Sequence, residues 1–281
     1  MAQETFTDIS KEDLRQAQKI MLYIMKKIHE VCVKHNIRYW LDYGTLLGAI
    51  RHDGFIPWDD DLDICMMRED YEKFSKVAQD EFGDEFFWEN NKTVSNFYQE
   101  YGKVRLCNTI WLEDFGKHMP RKHTGLFIDI FPIDPFPENK IKLFNLCVFR
   151  AVLVGVVNKK VFKQKAGSCI KSVVRWFCSI FLPLDFLARR QEKIIKNLQR
   201  YKDSSPLVSK LCMDTKRDLC DRSMFDELIL HKFEDAEFYI PARYDERLKM
   251  LFNDYMQLPP EDKRYGHHGI LKYDFGKYKD L

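Results

Sequence analysis

Hydrophobic positions first fall into a helical rhythm. Leu14, Ala17, Ile20, Met21, Ile24, Met25 and Ile28 recur at three- and four-residue spacing. They follow Ser10-Lys-Glu-Asp13, a capping-box pattern in which Asp replaces the usual Glu or Gln. An amphipathic helix is therefore predicted from this cap to the neighbourhood of His35. A short β-rich run, Arg38-Tyr-Trp-Leu-Asp-Tyr43, stops at Gly44. Thr45 to His52 has room for one or two helical turns, which Asp53-Gly54 ends.

After Pro57 the period changes to two. Asp61-Leu-Asp-Ile64 alternates polar with apolar, as does a strand with one buried face. A helix is predicted over Asp70 to Phe82, and strands over Phe86–Trp88, Glu100–Leu106, Thr109–Glu113 and Leu126–Phe131. The region from 140 to 230 reads as helical, with apolar and basic faces, and a last helix around Arg243–Tyr255 ends before Pro259-Pro260. The expected class is α/β (α+β). A catalytic core over 1–138 carries a mixed sheet flanked by helices, and a mostly helical region over 139–281 completes it.

Composition narrows the partners. A net charge of +2 leaves bulk electrostatics without a pull on nucleic acid, and none is expected as a partner. Charge is concentrated in one place: Lys159, Lys160, Lys163, Lys165, Lys171 and Arg175 follow one another with no acidic residue between them. Such a stretch suits peripheral contact with a membrane surface or anionic polymer, and equally a solvated helical face. Leu143–Val157 contains Asn145 and Arg150, and Cys169–Ala188 contains Lys171, Arg175, Pro183 and Asp185. Neither reaches the roughly 18 unbroken apolar residues of a spanning helix. The eight cysteines form no C-x-x-C pair and sit in apolar contexts, and the N-terminus has no signal-peptide pattern. Reduced thiols and a cytoplasmic location are expected, including the inner face of the plasma membrane.

The chemistry is concentrated in Asp59, Asp60, Asp61 and Asp63, four carboxylates within five positions. Like charges this close destabilise a fold unless a cation compensates them. On a strand, Asp61 and Asp63 share a face, with Asp59 able to join them. An EF-hand reading fails, because its sixth position would be Ile64 instead of Gly and its twelfth Asp70 instead of Glu. A structural acidic cap does not account for the alternation with Leu62 and Ile64. A hard-oxygen site for Mg²⁺ or Mn²⁺ does. Gly44-Thr45, where a strand leads into a helix, offers backbone N–H groups and the positive end of a helix dipole to phosphate. Arg51 suits a donor phosphate or one of the aspartates.

The run from Asp42 through Gly44-Thr-Leu-Leu-Gly-Ala-Ile-Arg-His-Asp-Gly-Phe-Ile-Pro-Trp-Asp-Asp-Asp-Leu-Asp63 closely resembles the signature of the LicD family. These are phosphocholine transferases related to the fukutin-type ribitol-phosphate transferases of the nucleotidyltransferase-fold superfamily. The resemblance continues in Gly125-Leu-Phe-Ile-Asp-Ile-Phe-Pro-Ile-Asp134 and in Tyr239–Pro260, where Asn253 stands in place of the usual Gly. It implies a nucleotidyltransferase-like core in which Asp61 and Asp63 bind the metal. Asp129 is the third carboxylate; it, or a carboxylate beside it, orients or deprotonates the acceptor hydroxyl, and Asp59 is a further ligand. It also implies transfer of phosphocholine from CDP-choline to a teichoic acid, a lipopolysaccharide or a lipid-linked glycan precursor. The alternatives are a ribitol- or glycerol-phosphate donor, or a non-catalytic glycan-binding relative. A trimethylammonium group would need aromatic faces, for which Tyr43, Trp58, Trp111 and Phe131 lie nearby in sequence. His52 reads as a local hydrogen-bonding residue, His267 and His268 as helper or surface residues. His118 and His123 flank the basic turn Pro120-Arg-Lys122 and suit a phosphate.

Overall fold

The computed structural model describes residues 9–94, 97, 99–113, 123–146, 156, 183–211, 218–266 and 268–281. The basic stretch 159–175, His118, the turn at 120–122 and His267 lie outside them. Among the described residues no helix is long and apolar enough to cross a membrane.

Helix α1 spans Lys11–Lys34, as its periodicity predicts, and Ser10 Oγ accepts from the Asp13 N–H at 3.0 Å. The Asp13 side chain does not complete a capping box; it accepts from Ser10 Oγ at 2.8 Å and from the Tyr273 hydroxyl at 2.7 Å. The following strand β1 is only Trp40–Leu41, because Asp42 already serves as N-cap of α2, Tyr43–His52. This helix therefore begins one residue before Gly44, and its C-cap Asp53 takes the left-handed conformation (φ 55°). Strand β2 is Asp63–Met67 and helix α3 is Arg68–Phe82. Asp61 thus lies on the extended lead into the strand, two positions before its first residue.

Strands β3 (Phe86–Glu89), β4 (Gly102–Leu106), β5 (Ile110–Glu113) and β6 (Phe127–Pro135) follow. The nine-residue β6 organises the main sheet, whose order is β1-β2-β6-β4-β3. It runs parallel to β2 and antiparallel to β4 along its first half. Its second half pairs with β7 (Leu207–Lys210), which in turn pairs with β8 (Cys220–Asp221).

The described part of 139–281 departs from the helical pattern expected up to 230. Besides residues 140–146, helix is confined mainly to α4 (Leu184–Leu198) and α5 (Tyr244–Phe252). Between them lie β7, β8 and the hairpin of β9 (Leu228–Phe233) with β10 (Ala236–Pro241). A strand as short as Leu207-Val-Ser-Lys210 carries too few residues to establish a period of two. Strand β11 (Ile270–Asp274) returns to pair with β5. Asn253 caps α5 with φ 59°, a conformation Asn tolerates in place of Gly.

Alternation along the strands gives the main sheet two unlike faces. Ile64, Met66, Val104, Leu106, Ile128 and Ile130 face the apolar core shared with α1 and α3. Asp63, Cys65, Lys103, Asp129, Phe131 and Ile133 alternate with them and stand on the other face, beside a smaller cluster of Trp40, Val208, Cys220, Met224 and Phe225.

A buried ionic network fixes the second face to α5. Arg247 donates from Nε to Asp42 Oδ1 at 3.0 Å, from Nη2 to Asp42 Oδ2 at 2.7 Å, and from Nη2 to Asp218 Oδ1 at 2.8 Å. The Tyr43 hydroxyl lies 2.8 Å from both Asp218 oxygens. Burial raises the Asp42 carboxyl, but the Arg247 guanidinium outweighs it and holds the group below its ordinary value. Its contribution to stability is therefore present above the ordinary carboxylate pKa of about 3.9 and is lost as pH falls through the lower folded value. Arg247→Met leaves Asp42 and Asp218 buried without their cation. Urea denaturation at pH 7 is expected to show a loss of about 3–5 kcal/mol.

Candidate active site

The acidic segment reaches its place through backbone constraints. Gln18 of α1, itself buried, donates to the carbonyls of Ile56 (3.2 Å) and Asp59 (3.0 Å), holding the loop after α2 against the core. The loop then turns back along the first turn of α2. Asp59 Oδ2 lies where it would stand 3.0 Å from a Cβ at position 44, so glycine there lets the carboxylate approach the helix start. Thr45 Oγ1 accepts from the Asp63 N–H at 2.8 Å and ties this helix turn to the first residue of β2.

The four carboxylates then divide. Ligand oxygens of Asp59, Asp60 and Asp61 all lie within 4.8 Å of one another. Asp63 is paired directly across the parallel β2–β6 register with Asp129, whose N–H donates to the Leu62 carbonyl at 3.1 Å. Lys103 stands opposite Asp129 on β4, and its Nζ reaches Asp129 Oδ1 at 2.5 Å. The strand register therefore draws Asp63, Asp129 and Lys103 into one row across three strands.

Asp60 turns the other way. It is buried and accepts from the His268 backbone N–H at 3.2 Å, while His268 Nδ1 lies 2.9 Å from its other oxygen. A side chain at Gly266 would place its Cβ 2.5 Å from Asp60 Oδ2, so the C-terminal segment can close over the cluster only without one. His268 Nε2 then stands 3.7 Å from Asp61 Oδ2. With Nδ1 donating to Asp60, the imidazole presents Nε2 to the cluster.

Charge is strongly frustrated here. Burial, then the charges of Asp60 and Asp63, push Asp59 up to about 7. Burial and neighbouring carboxylates push Asp61 and Asp63 well above the ordinary range. His268 responds in the opposite sense: burial lowers it, but the Asp60 hydrogen bond and the charges of Asp61 and Glu113 push it up to about 10.

The remaining candidates are dispersed. Arg51 forms no carboxylate ion pair among the described residues; it donates to the Tyr255 carbonyl at 2.8 Å and towards His52 Nε2 at 3.0 Å. Trp58 is half-buried, edge-on to His52, with the Arg264 guanidinium 5.6 Å from its ring centre. Trp111 is fully buried in the main core beside Tyr273. Tyr43 and Phe131 do border the acidic face, but the Lys210 ammonium lies over both rings, 3.4 and 3.9 Å from their centres. His123 stacks on Phe87 at 4.1 Å.

Sequence reasoning missed Lys103, Lys210 and the Asp60–His268 pair. Lys103 left a faint signal, since it and Arg105 are two apart in an otherwise apolar strand.

Residues 36–146 match the family model described as LicD/FKTN/FKRP, nucleotidyltransferase domain. Lipopolysaccharide cholinephosphotransferase LicD of Haemophilus influenzae is 28% identical over 272 residues, covering 92% of this chain and 97% of that protein. An uncharacterised Rickettsia prowazekii protein is 29% identical over 208 residues, 71% of this chain and 74% of its own. Ribitol 5-phosphate transferase FKRP of Homo sapiens is 39% identical over 72 residues, 24% of this chain and 14% of that protein. The matched segment runs from before β1 through β6 and holds the whole carboxylate set. The chain is thus similar over this stretch to the LicD/FKTN/FKRP nucleotidyltransferase domain, and the two relatives whose names give an activity are a cholinephosphotransferase and a ribitol 5-phosphate transferase.

The Asp60–His268 pair can be checked in the metal-free protein. A His raised from 6.5 to about 10 adds stability fully present below about 6.5 and lost as pH rises through the folded value. An NMR titration should find the His268 ring well above the ordinary value in the wild type. Asp60→Asn should return it towards 6.5.

Proposed function

We propose that the chain transfers phosphocholine from CDP-choline to a hydroxyl of a cell-surface glycan, such as teichoic acid or lipopolysaccharide, or of its lipid-linked precursor. The observation that carries the reading is the crowding of carboxylates beside the first turn of α2: ligand oxygens of Asp59, Asp60 and Asp61 lie within 4.8 Å of one another, and Asp63 faces Asp129 across the β2–β6 register. Carboxylates raised by burial and by one another favour a bound cation, and their oxygens suit Mg²⁺ or Mn²⁺. Asp59, Asp61 and Asp63, with Asp129 alongside, would hold it, and when bound it would neutralise the donor diphosphate and the charge developing on departing CMP.

The chain's own residues supply the rest. The first turn of α2 offers the Gly44 and Thr45 N–H groups to a phosphate, with no side chain at 44 in the way. Lys103 takes Oδ1 of Asp129 and fixes its rotamer, so the second oxygen remains to orient the acceptor hydroxyl for in-line attack. Attack forms the new O–P bond as the bond to CMP breaks. Transfer of ribitol-phosphate from CDP-ribitol is the second reading, favoured by the 39% identity to FKRP over 72 residues.

Two measurements test this. With Mg²⁺ and a glycan acceptor, CMP should be released from CDP-choline, and Asp61→Asn or Asp63→Asn should slow release by about 10²–10³-fold. Turnover of CDP-ribitol alone would replace the choline assignment. The second uses pH. Without metal, a carboxyl raised to about 7 makes the fold less stable as pH rises from its unfolded value of about 3.9 through 7, because the native state holds the proton. A cation that favours the ionised form removes this loss. Thermal unfolding should therefore show Mg²⁺ raising Tm more at pH 8 than at pH 5, and equal shifts would count against carboxylate ligation.

A further inference from the structure

Strand β7 brings to the acidic face a cation that the reaction outlined above does not use. Lys210 pairs with Ile133 of β6 in the antiparallel register and is 1% exposed. Its ammonium lies 3.4 Å from the Tyr43 ring centre and 3.9 Å from that of Phe131. Tyr43 is the first residue of α2. Phe131 is two residues beyond Asp129 on the same face of β6. The two rings therefore hold the ammonium where the helix start meets the Asp63–Asp129 row. Its field reaches that row: burial and neighbouring carboxylates raise Asp63, and Lys210 opposes them.

This placement is costly if it serves packing alone. A lysine ammonium has three donors, and burying it is unfavourable unless they are met. Ring faces attract the charge but accept no ordinary hydrogen bond. Among the described residues, no acceptor takes a hydrogen bond from Lys210 Nζ and no carboxylate lies within ion-pair distance. Lys103 on the same face behaves differently, being committed to Asp129 at 2.5 Å. A chain that needed only an apolar filler opposite Ile133 would gain stability from a methionine or leucine. An anion between the first turn of α2 and the carboxylate row would complete the shell of Lys210.

We propose that Lys210 is a donor-binding residue whose ammonium, held by the faces of Tyr43 and Phe131, contacts the non-bridging oxygens of a nucleoside diphosphate. The inference rests on the phosphoryl-transfer reading of the site and is independent of which alcohol is transferred. On this reading the two rings orient a protein cation, and a cationic alcohol is bound elsewhere.

Full-length wild type and Lys210→Met are compared by calorimetry with CDP and with inorganic pyrophosphate, each in saturating Mg²⁺. Methionine matches the lysine stem in volume and removes only the charge, so the variant should unfold at or above the wild-type temperature and bind Mg²⁺ at least as tightly. Its affinity for CDP and pyrophosphate should fall about ten- to a hundredfold, the worth of one charge-assisted hydrogen bond. A purely structural lysine would leave both affinities unchanged in the folded variant, which overturns the inference alone. Wild type that binds neither ligand overturns the phosphoryl-transfer reading and this inference with it. If Lys210→Met does not fold, the side-chain NMR resonance of Lys210 in wild type, assigned with Lys210→Arg, replaces it as readout. Movement on adding pyrophosphate with Mg²⁺ supports the contact, and no movement overturns it.

Discussion

The buried pair of Asp42 and Arg247 governs how the rest of the molecule is arranged. Asp42 caps α2 through the Tyr43 N–H at 2.9 Å and also receives the bidentate guanidinium of Arg247 from α5. One carboxylate thus fixes where α2 starts and where α5 docks. The position of that helix start decides the site. Gly44 meets Asp59, Thr45 holds the first residue of β2, and Tyr43 bears on Lys210. Asp218 adds a second acceptor to Arg247 and connects the tip of Tyr43 to the segment before β8. Both partners are almost fully buried, so the pair's worth lies less in net stability than in allowing one arrangement of the helix start.

The two faces of the main sheet divide the labour. The face towards α1 and α3 is apolar and supplies the core. The opposite face collects like charges that folding alone would avoid, and three of its carboxyl groups are raised by burial and by one another. Such a concentration of unfavourable charge persists only where surrounding structure over-determines it. Here the constraint comes from the Gln18 clamp on the preceding loop, the fixed β2–β6 register and the closure of the C-terminal segment over Asp60. Lysines enter the same face from two different strands, one committed to Asp129 and one held by aromatic rings. The segment matched by the LicD/FKTN/FKRP model, residues 36–146, contains Asp59, Asp61, Asp63 and Asp129.

The amino-acid sequence by itself determined the features whose causes are local. Period and cap placed α1, alternation placed the start of β2 to within two residues, and charge crowding marked Asp59 to Asp63 as the candidate site. Each depends on neighbours within a few positions, where backbone geometry imposes the spacing. Only the tertiary structure decided what surrounds that centre. His268 meets Asp60 across 208 positions, Arg247 meets Asp42 across 205, and Lys103 meets Asp129 across 26. Strand register and loop closure make these contacts, and no local period encodes a register between distant strands. For the same reason the helical pattern of 140–230 hides the short strands β7 and β8, and the place of Lys210 follows only from the pairing of β7 with β6.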